Sequence, residues 1–361
     1  MNVLVLSPAL YDTAPALRFR IEQWARHLEP EGYRFTFVPF EDEVLHRVIY
    51  TPGNYVKKAV ALIRACVRRF SVVKTVKDYD LVFLHREAAL IGPAVVESLI
   101  ARHGVPIVYD FDDPIWMPYQ SPTNALFTRL KWQSKTQAIC RLATRVIVGN
   151  RLLAGWAAGH ASQVDVVPST VDIERYPVKP AAEDDGLPTL GWTGSHSTLP
   201  FLQMAMGSLT RVAARHPFRL LVISHTDQLQ FEGFPAPVVA RRWRADTEAT
   251  DLHAMDVGLA PFPNTGWTPW RCHGKVLQYM AAGIPTVASR IGILPDYIEH
   301  GVSGLLAETD AEWDESLATL LADRDLRTRI GLAGRKTIEE RYSAQVWLPK
   351  IREILTEAAR R

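Results

Sequence analysis

The chain has 361 residues, of which 47% are apolar and 22% charged, with a formal net charge of +2, a composition that suits globular domains and excludes a disordered chain. So small a charge gives no reason to expect nucleic acid as a partner, and the length favours two domains over one. Cys66, Cys140 and Cys272 are odd in number and far apart, which suits a reducing cytoplasm and argues against a disulfide framework.

The first eight residues are too short for a signal segment and lack basic residues, and no apolar run reaches the ~18 residues of a spanning helix. The expectation is a cytoplasmic protein that touches the inner face of a membrane, if any, without crossing it. Residues 2–7 read as a buried strand, followed by a loop, a helix over 18–28 and a strand over 33–38. This order opens a doubly wound parallel sheet, whose ligands bind beyond the carboxyl ends of the strands. The loop 8–15 has no glycine, so the dinucleotide fingerprint of an NAD-type oxidoreductase is absent.

Residues 55–70 carry Val56, Ala59, Val60, Ile63, Val67 and Phe70 at helical spacing, with Lys57, Lys58, Arg64, Arg68 and Arg69 on the remaining surface. Lys74 and Lys77 follow, and no acid interrupts the set before Asp78. Two readings stand: a solvated helix face, or a basic amphipathic helix that, through 55–77, rests on an anionic bilayer or guides an anionic lipid carrier.

Strands over 81–84 and 106–109 run into His85-Arg86-Glu87 and Asp110-Phe111-Asp112-Asp113, which puts both polar clusters on one rim of the sheet. Three carboxylates so close together repel, raising some of their pKa values unless a cation or sugar hydroxyls lie among them. Trp116 and Tyr119 follow and look like a sugar-facing wall; the alternative is a capping aspartate in a solvated turn. No further ligand spacing supports a metal. Strands over 145–148 and 164–167 complete this half. The expected division is a domain over 1–176, a linker over 177–188, where the composition is most linker-like, and a domain over 189–344, with a helix over 345–361 packing back on the first.

The pattern restarts with a strand over 189–192 that leads into Gly194-Ser195-His196-Ser197-Thr198, a small-residue turn whose N–H groups and hydroxyls suit a phosphate. A helix over 199–215 and a strand over 219–223 follow, and Arg241, Arg242, Trp243 and Arg244 lie near a short strand. After a strand over 257–260 comes the stretch 271–289. Arg271-Cys272-His273-Gly274-Lys275 opens a helix that stops at Gly283, and a β-branched strand follows Pro285. A helix N-terminus flanked by Arg271 and Lys275 suits an anion, although an ordinary αβ unit with a glycine cap reads the same locally. A helix over 296–300, a strand to Leu306 and helices over 311–323 and 326–342 close the domain.

Several of these segments, in order, resemble the family-4 GT-B glycosyltransferases. Val167-Pro168-Ser169-Thr170-Val171-Asp172-Ile173-Glu174-Arg175-Tyr176 is similar to their domain junction and Gly191-Trp192-Thr193-Gly194-Ser195 to the first turn of their second domain. Met255-Asp256-Val257-Gly258-Leu259-Ala260-Pro261, the stretch 275–289, Gly301-Val302-Ser303-Gly304-Leu305-Leu306 and 335–342 continue the match. The run 109–116 is similar to one in some polysaccharide-assembly members. The resemblance implies an α/β GT-B fold, two Rossmann-like domains facing across a cleft. It also implies transfer of a sugar from a UDP- or GDP-type nucleotide sugar to a glycan, lipid-linked or small-molecule acceptor, with retention and with no metal or cofactor.

On this reading Gly194, Ser195, His196, Trp243, Arg244, Arg271, Lys275 and Gln278 hold the donor. His85 contacts the donor sugar, and Asp110, Asp112 or Asp113 serves as base if the enzyme inverts; Arg86, Glu87 and Trp116 lie on the acceptor side. Two departures stand out. The family's paired glutamates fall on Trp270 and Gln278, of which Gln278 still accepts hydrogen bonds through its amide oxygen but without charge. The basic pair after the first turn is missing, with His196 the nearest candidate. The alternatives are a sugar-nucleotide epimerase and a diverged GT-B protein that binds a ligand without turnover.

Overall fold

The computed structural model describes residues 1–49, 51, 53–118, 132–180 and 186–360. Two units emerge from its contacts. Met1–Ser169, Trp270–Cys272 and Trp347–Arg361 form the first, and Thr170–Pro269 and His273–Val346 the second. The division falls at Ser169 rather than within 177–188, because the start of that segment is anchored in the second unit. The Lys179 N–H donates to the Ala282 carbonyl, and its Nζ to Asp256 and to the Met255 carbonyl. Residues 181–185 lie outside the described residues.

In the first unit six parallel strands, β1 (Asn2–Ser7), β2 (Arg34–Pro39), β3 (Leu81–His85), β4 (Ile107–Phe111), β5 (Arg145–Val148) and β6 (Val164–Val166), lie in the order β2-β1-β3-β4-β5-β6. Their side chains alternate between two cores. Leu4, Leu6, Val82 and Leu84 enter one, while Val3, Val5, Leu81 and Phe83 enter the other together with Ile351, Ile354, Leu355 and Ala358 of the helix Ala344–Ala359. Burial on both faces explains why these strands read as unbroken apolar runs. Strands β3 and β4 run further than expected, so that His85 and Asp110 are paired strand residues.

The second unit repeats the plan with β7 (Thr189–Thr193), β8 (Arg219–Ser224), β9 (Val238–Arg242), β10 (Val257–Ala260), β11 (Thr286–Ser289) and β12 (Leu305–Ala307), all parallel, in the order β12-β11-β10-β7-β8-β9. Strand order reverses between β7 and β10 here, and between β1 and β3 in the first unit. At such points side chains beyond the carboxyl ends of neighbouring strands diverge and leave room for a ligand.

The helix Tyr55–Val72 forms where its period predicts it, with its apolar stripe outward, against the reading of a merely solvated basic face. Ala61, Leu62 and Ala65 pack against Phe40, Leu45 and Ala89, while Val56, Ile63 and Val67 are 77%, 63% and 67% exposed. The cause is polar. Buried Arg69 donates to the carbonyls of Val38 (2.8 Å) and Ser7 (3.0 Å), satisfying acceptors at the ends of β2 and β1, and the small Ala61 and Ala65 allow the close approach. Burial pulls the Arg69 pKa down to about 10, which leaves it charged near neutrality. Among the described residues no helix is long and apolar enough to cross a membrane.

Candidate functional site

On the carboxyl rim of the first sheet, Arg20 is fully buried with its guanidinium across Asp110. Its Nε lies 2.8 Å from Oδ1 and 2.9 Å from Oδ2, and a terminal nitrogen donates to the Val167 carbonyl (2.9 Å). The same carboxylate accepts from His85 Nδ1 (2.7 Å). Burial pushes the Asp110 carboxyl up, but Arg20 and His85 outweigh it and hold it below the usual carboxylate value. An ionised Asp110 only accepts, so Nδ1 is the donor of this bond. Nε2 is then buried 4.0 Å from Asp112 Oδ1, with no hydrogen-bond partner among the described residues.

Arg86 follows His85 in the left-handed region, φ 60°, its N–H held by the Asp110 carbonyl (2.7 Å). That conformation is uncommon outside glycine. It carries the guanidinium to both remaining acids, 2.7 and 2.9 Å from Asp112 Oδ1 and 2.7 Å from Asp113 Oδ2. Arg271 Nε donates to Asp113 (3.2 Å), and the Cys272 thiol to the Asp112 carbonyl (3.1 Å). Burial raises the Asp112 carboxyl, and Arg86, His85 and Arg20 more than reverse that. The repulsion expected among the three acids is thus met by three arginines: Arg20 and Arg86, with His85, keep Asp110 and Asp112 ionised, and Arg271 bonds Asp113.

Other residues expected on this rim are engaged elsewhere. Glu87 lies 3.8 Å from the buried ammonium of Lys135, which also faces Glu97 at 3.7 Å, so it belongs to an internal ion cluster rather than to an open acceptor face. Trp116 stacks on Trp156 with centroids 3.7 Å apart and planes within 5°, and Trp270 meets it edge-on at 5.8 Å. One face of the expected sugar wall is therefore already covered. Trp270, standing where the resemblance calls for a carboxylate, is a packing residue of the first unit. Tyr119 lies outside the described residues.

In the second unit β7 ends at Thr193, and Gly194 is required next. A Cβ there would come within 2.4 Å of the Trp192 ring and 2.7 Å of Thr198 Oγ1. Ser195 Oγ lies 2.9 Å from Ser197 Oγ, Ser195 and His196 are exposed, and the His196 ring rests edge-on against His225 at 4.9 Å. Lys275, in the first turn of the helix Gly274–Ala281, holds its ammonium 4.1 Å from the Trp192 ring centroid and 5.5 Å from that of Phe262. Trp192 is in β7 and Phe262 just follows β10, so the cation stands where strand order reverses. His273, at φ 47° before the helix, lays its ring 4.3 Å from Phe262. Gly283, at φ 71°, ends the turn that follows.

Gln278 is buried and donates through its amide nitrogen to Tyr176 Oη (2.9 Å); Tyr176 donates to Glu248 (2.8 Å), and the Trp243 indole N–H meets the other oxygen of Glu248 (3.0 Å). Gln278 and Trp243 thus share one network, closed by a carboxylate that the motif comparison did not find. Arg244 pairs with the adjacent Asp246 on the surface, and Arg271 belongs to the first unit. Arg20, Tyr176 and Glu248 were missed for one reason: Arg20 and Asp110 are 90 positions apart, and Tyr176 and Glu248 72. No local pattern marks them.

Residues 188–323 match the family model described as Glycosyl transferases group 1. The chain is similar to a D-inositol 3-phosphate glycosyltransferase of Corynebacterium jeikeium, 25% identical over 197 residues and covering 46% of each chain. It is similar also to a sulfoquinovosyl transferase of Arabidopsis thaliana, 37% identical over 90 residues, which is 20% of this chain and 18% of the relative. The chain thus spans less than half the length of these curated relatives. Among solved structures, Anabaena HepE in complex with UDP-glucose superposes with a TM-score of 0.66 at 19% identity over 99% of this chain and 100% of the other. Sucrose-phosphate synthase from Thermosynechococcus elongatus gives 0.67 at 16% over 99% of each. The α/β architecture of two Rossmann-like units is the GT-B fold.

Proposed function

We propose that this chain, a GT-B protein whose residues 188–323 carry the glycosyl transferases group 1 pattern, moves a sugar from a nucleotide diphosphate donor, UDP-linked in the first instance, to a glycan or lipid-linked acceptor. The observation that carries the reading is the coincidence, in the second unit, of the Gly194 turn and the Lys275 ammonium at the reversal of strand order, inside the matched region. A pyrophosphate there meets turn N–H groups and a cation held over aromatic rings in low dielectric, which stabilises the charge that develops on the leaving group. HepE, solved with UDP and with UDP-glucose, supports a uridine donor.

In the first unit His85 is the catalytic residue of this proposal, its buried Nε2, without a hydrogen-bond partner among the described residues, being the atom left for a sugar hydroxyl. Transfer with retention is favoured because Asp110 and Asp112 are held below the ordinary carboxylate range, which makes them weak bases. The departing phosphate then takes the acceptor's proton. Membrane contact through 55–77 completes the reading, with the exposed stripe of the helix Tyr55–Val72 against an anionic surface. A second reading, ligand binding without turnover, is favoured by the absence of both motif carboxylates.

Titration calorimetry with UDP, GDP and ADP tests the donor reading. Binding of one of them, weakened at least about tenfold by Lys275→Ala, a loss of ~1.4 kcal/mol, supports it. No heat from any of the three at millimolar concentration would sink it, and binding without release of nucleotide from any nucleotide sugar would leave the second reading.

A further inference from the structure

A groove of about 400 Å³ opens in the first unit beside the helix Tyr55–Val72, lined among others by Cys66, Phe70, Ile91, Val95, Val96 and Trp132. The volume falls in the ~300–1,000 Å³ range of small-molecule sites, but such sites normally place several polar groups to orient a ligand. Among the described residues of the lining the one charged side chain, Arg69, is turned to the Val38 and Ser7 carbonyls. Phe70, Val95 and Trp132 stand 44%, 44% and 56% exposed. A sugar or a peptide would find little to bond to, whereas an alkyl chain needs nothing but apolar walls that remove it from water.

Two features say what such a chain is attached to. The groove is continuous with the exposed apolar stripe Val56, Val60, Ile63, Val67 and Phe70, because Phe70 belongs to both and Cys66 lies one turn before it. Exposed Lys57, Arg64, Lys74 and Lys77 accompany the stripe, with no acid between residues 55 and 77. Apolar side chains flanked by lysine and arginine match an anionic lipid surface.

We propose that this groove takes the hydrocarbon chain of a lipid-carried acceptor, drawn from the bilayer on which the helix rests. The proposal builds on the transferase reading and gives its acceptor a chemical class. Because the groove is formed by one unit, its occupation is measurable without donor or turnover.

The test uses the full chain, with dodecyl phosphate below its micellar concentration and inorganic phosphate as the headgroup control. Modification of Cys66 by N-ethylmaleimide, followed by peptide mass, slows about tenfold when the amphiphile stands at ~10 times its Kd, and phosphate alone has no effect. A bromine-bearing fatty acid quenches a part of the fluorescence that Trp132→Phe removes. Val95→Asp, at an exposed position, abolishes both effects with an unchanged melting temperature. The proposal is overturned if the amphiphile neither protects Cys66 nor quenches Trp132, if phosphate alone protects, or if protection follows protein concentration without amphiphile, the mark of a second copy in the groove. A failed nucleotide titration alongside full protection would discard the transferase reading and leave the chain-binding groove.

Discussion

On the rim of the first sheet, charge meets charge: Asp110, Asp112 and Asp113 are bonded by Arg20, Arg86 and Arg271, and His85 is held between the first two acids. On the rim of the second, one ammonium stands over two aromatic rings, and the nearby network of Gln278, Tyr176, Trp243 and Glu248 contains a single carboxylate. The first arrangement fixes geometry, since each buried ion is tied to opposite charges and none can move without stranding another. The second holds a cation over two aromatic rings, contacts worth ~0.5–2 kcal/mol, where strand order reverses and ligands of such sheets bind. The difference predicts that damage to the first rim appears as lost stability and damage to the second as lost ligand affinity.

The sharpest way to break this contrast is Asp110→Asn, which strands the fully buried guanidinium of Arg20. Breaking a buried pair costs roughly 3–5 kcal/mol, so the first unit should melt about 10 °C lower by calorimetry. A melting temperature within a degree or two of the parent would mean that the rim is not held by charge. Lys275→Ala is the counterpart. It should lower kcat/KM about a hundredfold, ~2.7 kcal/mol of transition-state stabilisation, while stability falls by no more than about 1–2 kcal/mol.

Glu22, near the first rim, sharpens the contrast through pH. It accepts from the Asp12 N–H (3.0 Å), and burial, then the charge of Asp12, raises its pKa to about 7. The folded chain therefore binds this proton more tightly than the unfolded chain. Stability is undiminished below the unfolded value near 4.5, falls as pH rises from there to about 7, and stays lowered above it. Glu22→Gln should recover up to about 3 kcal/mol in denaturant unfolding at pH 8 and almost nothing at pH 4; equal effects at both would remove the carboxyl as the cause.

Gly194→Ala probes the second rim by packing alone, with an expected cost of about 1–3 kcal/mol as the Trp192 ring and Thr198 give way. The smallest effect on folding belongs to Ile63→Glu, 63% exposed. Stability should stay within about 0.5 kcal/mol, while sedimentation with anionic vesicles falls several-fold. Unchanged sedimentation would argue that the exposed stripe is not the contact.

The second rim was the more legible of the two because its parts are close in sequence. Gly194 and Ser195 lie on one turn, and Lys275 to Gly283 on one helix and its stop, so backbone preference and motif both speak for them. The first rim is assembled from β1, β3 and β4 neighbourhoods and from residues 270–272, and Arg20 carries no sign of a partner 90 positions on. His85 and the acids were legible as strand-end residues, yet the sequence left open what neutralises them. In the helix Tyr55–Val72 the period was legible, and which face lies inward was left open between the two readings. Periodicity reveals that a stripe exists, whereas which side is buried was decided by the bonds of Arg69 and by the small Ala61 and Ala65. Trp270 likewise read as a missing carboxylate, and its place against Trp116 is a tertiary fact.

The claim that the second unit holds the donor is tested most directly by amide hydrogen exchange with and without UDP, read peptide by peptide. Protection should concentrate at the end of β7 with the Gly194 turn and at the start of the helix Gly274–Ala281, and Lys275→Ala should erase it. UDP binding that leaves both segments exchanging as in the free chain, or that protects only peptides of the first unit, would contradict the account.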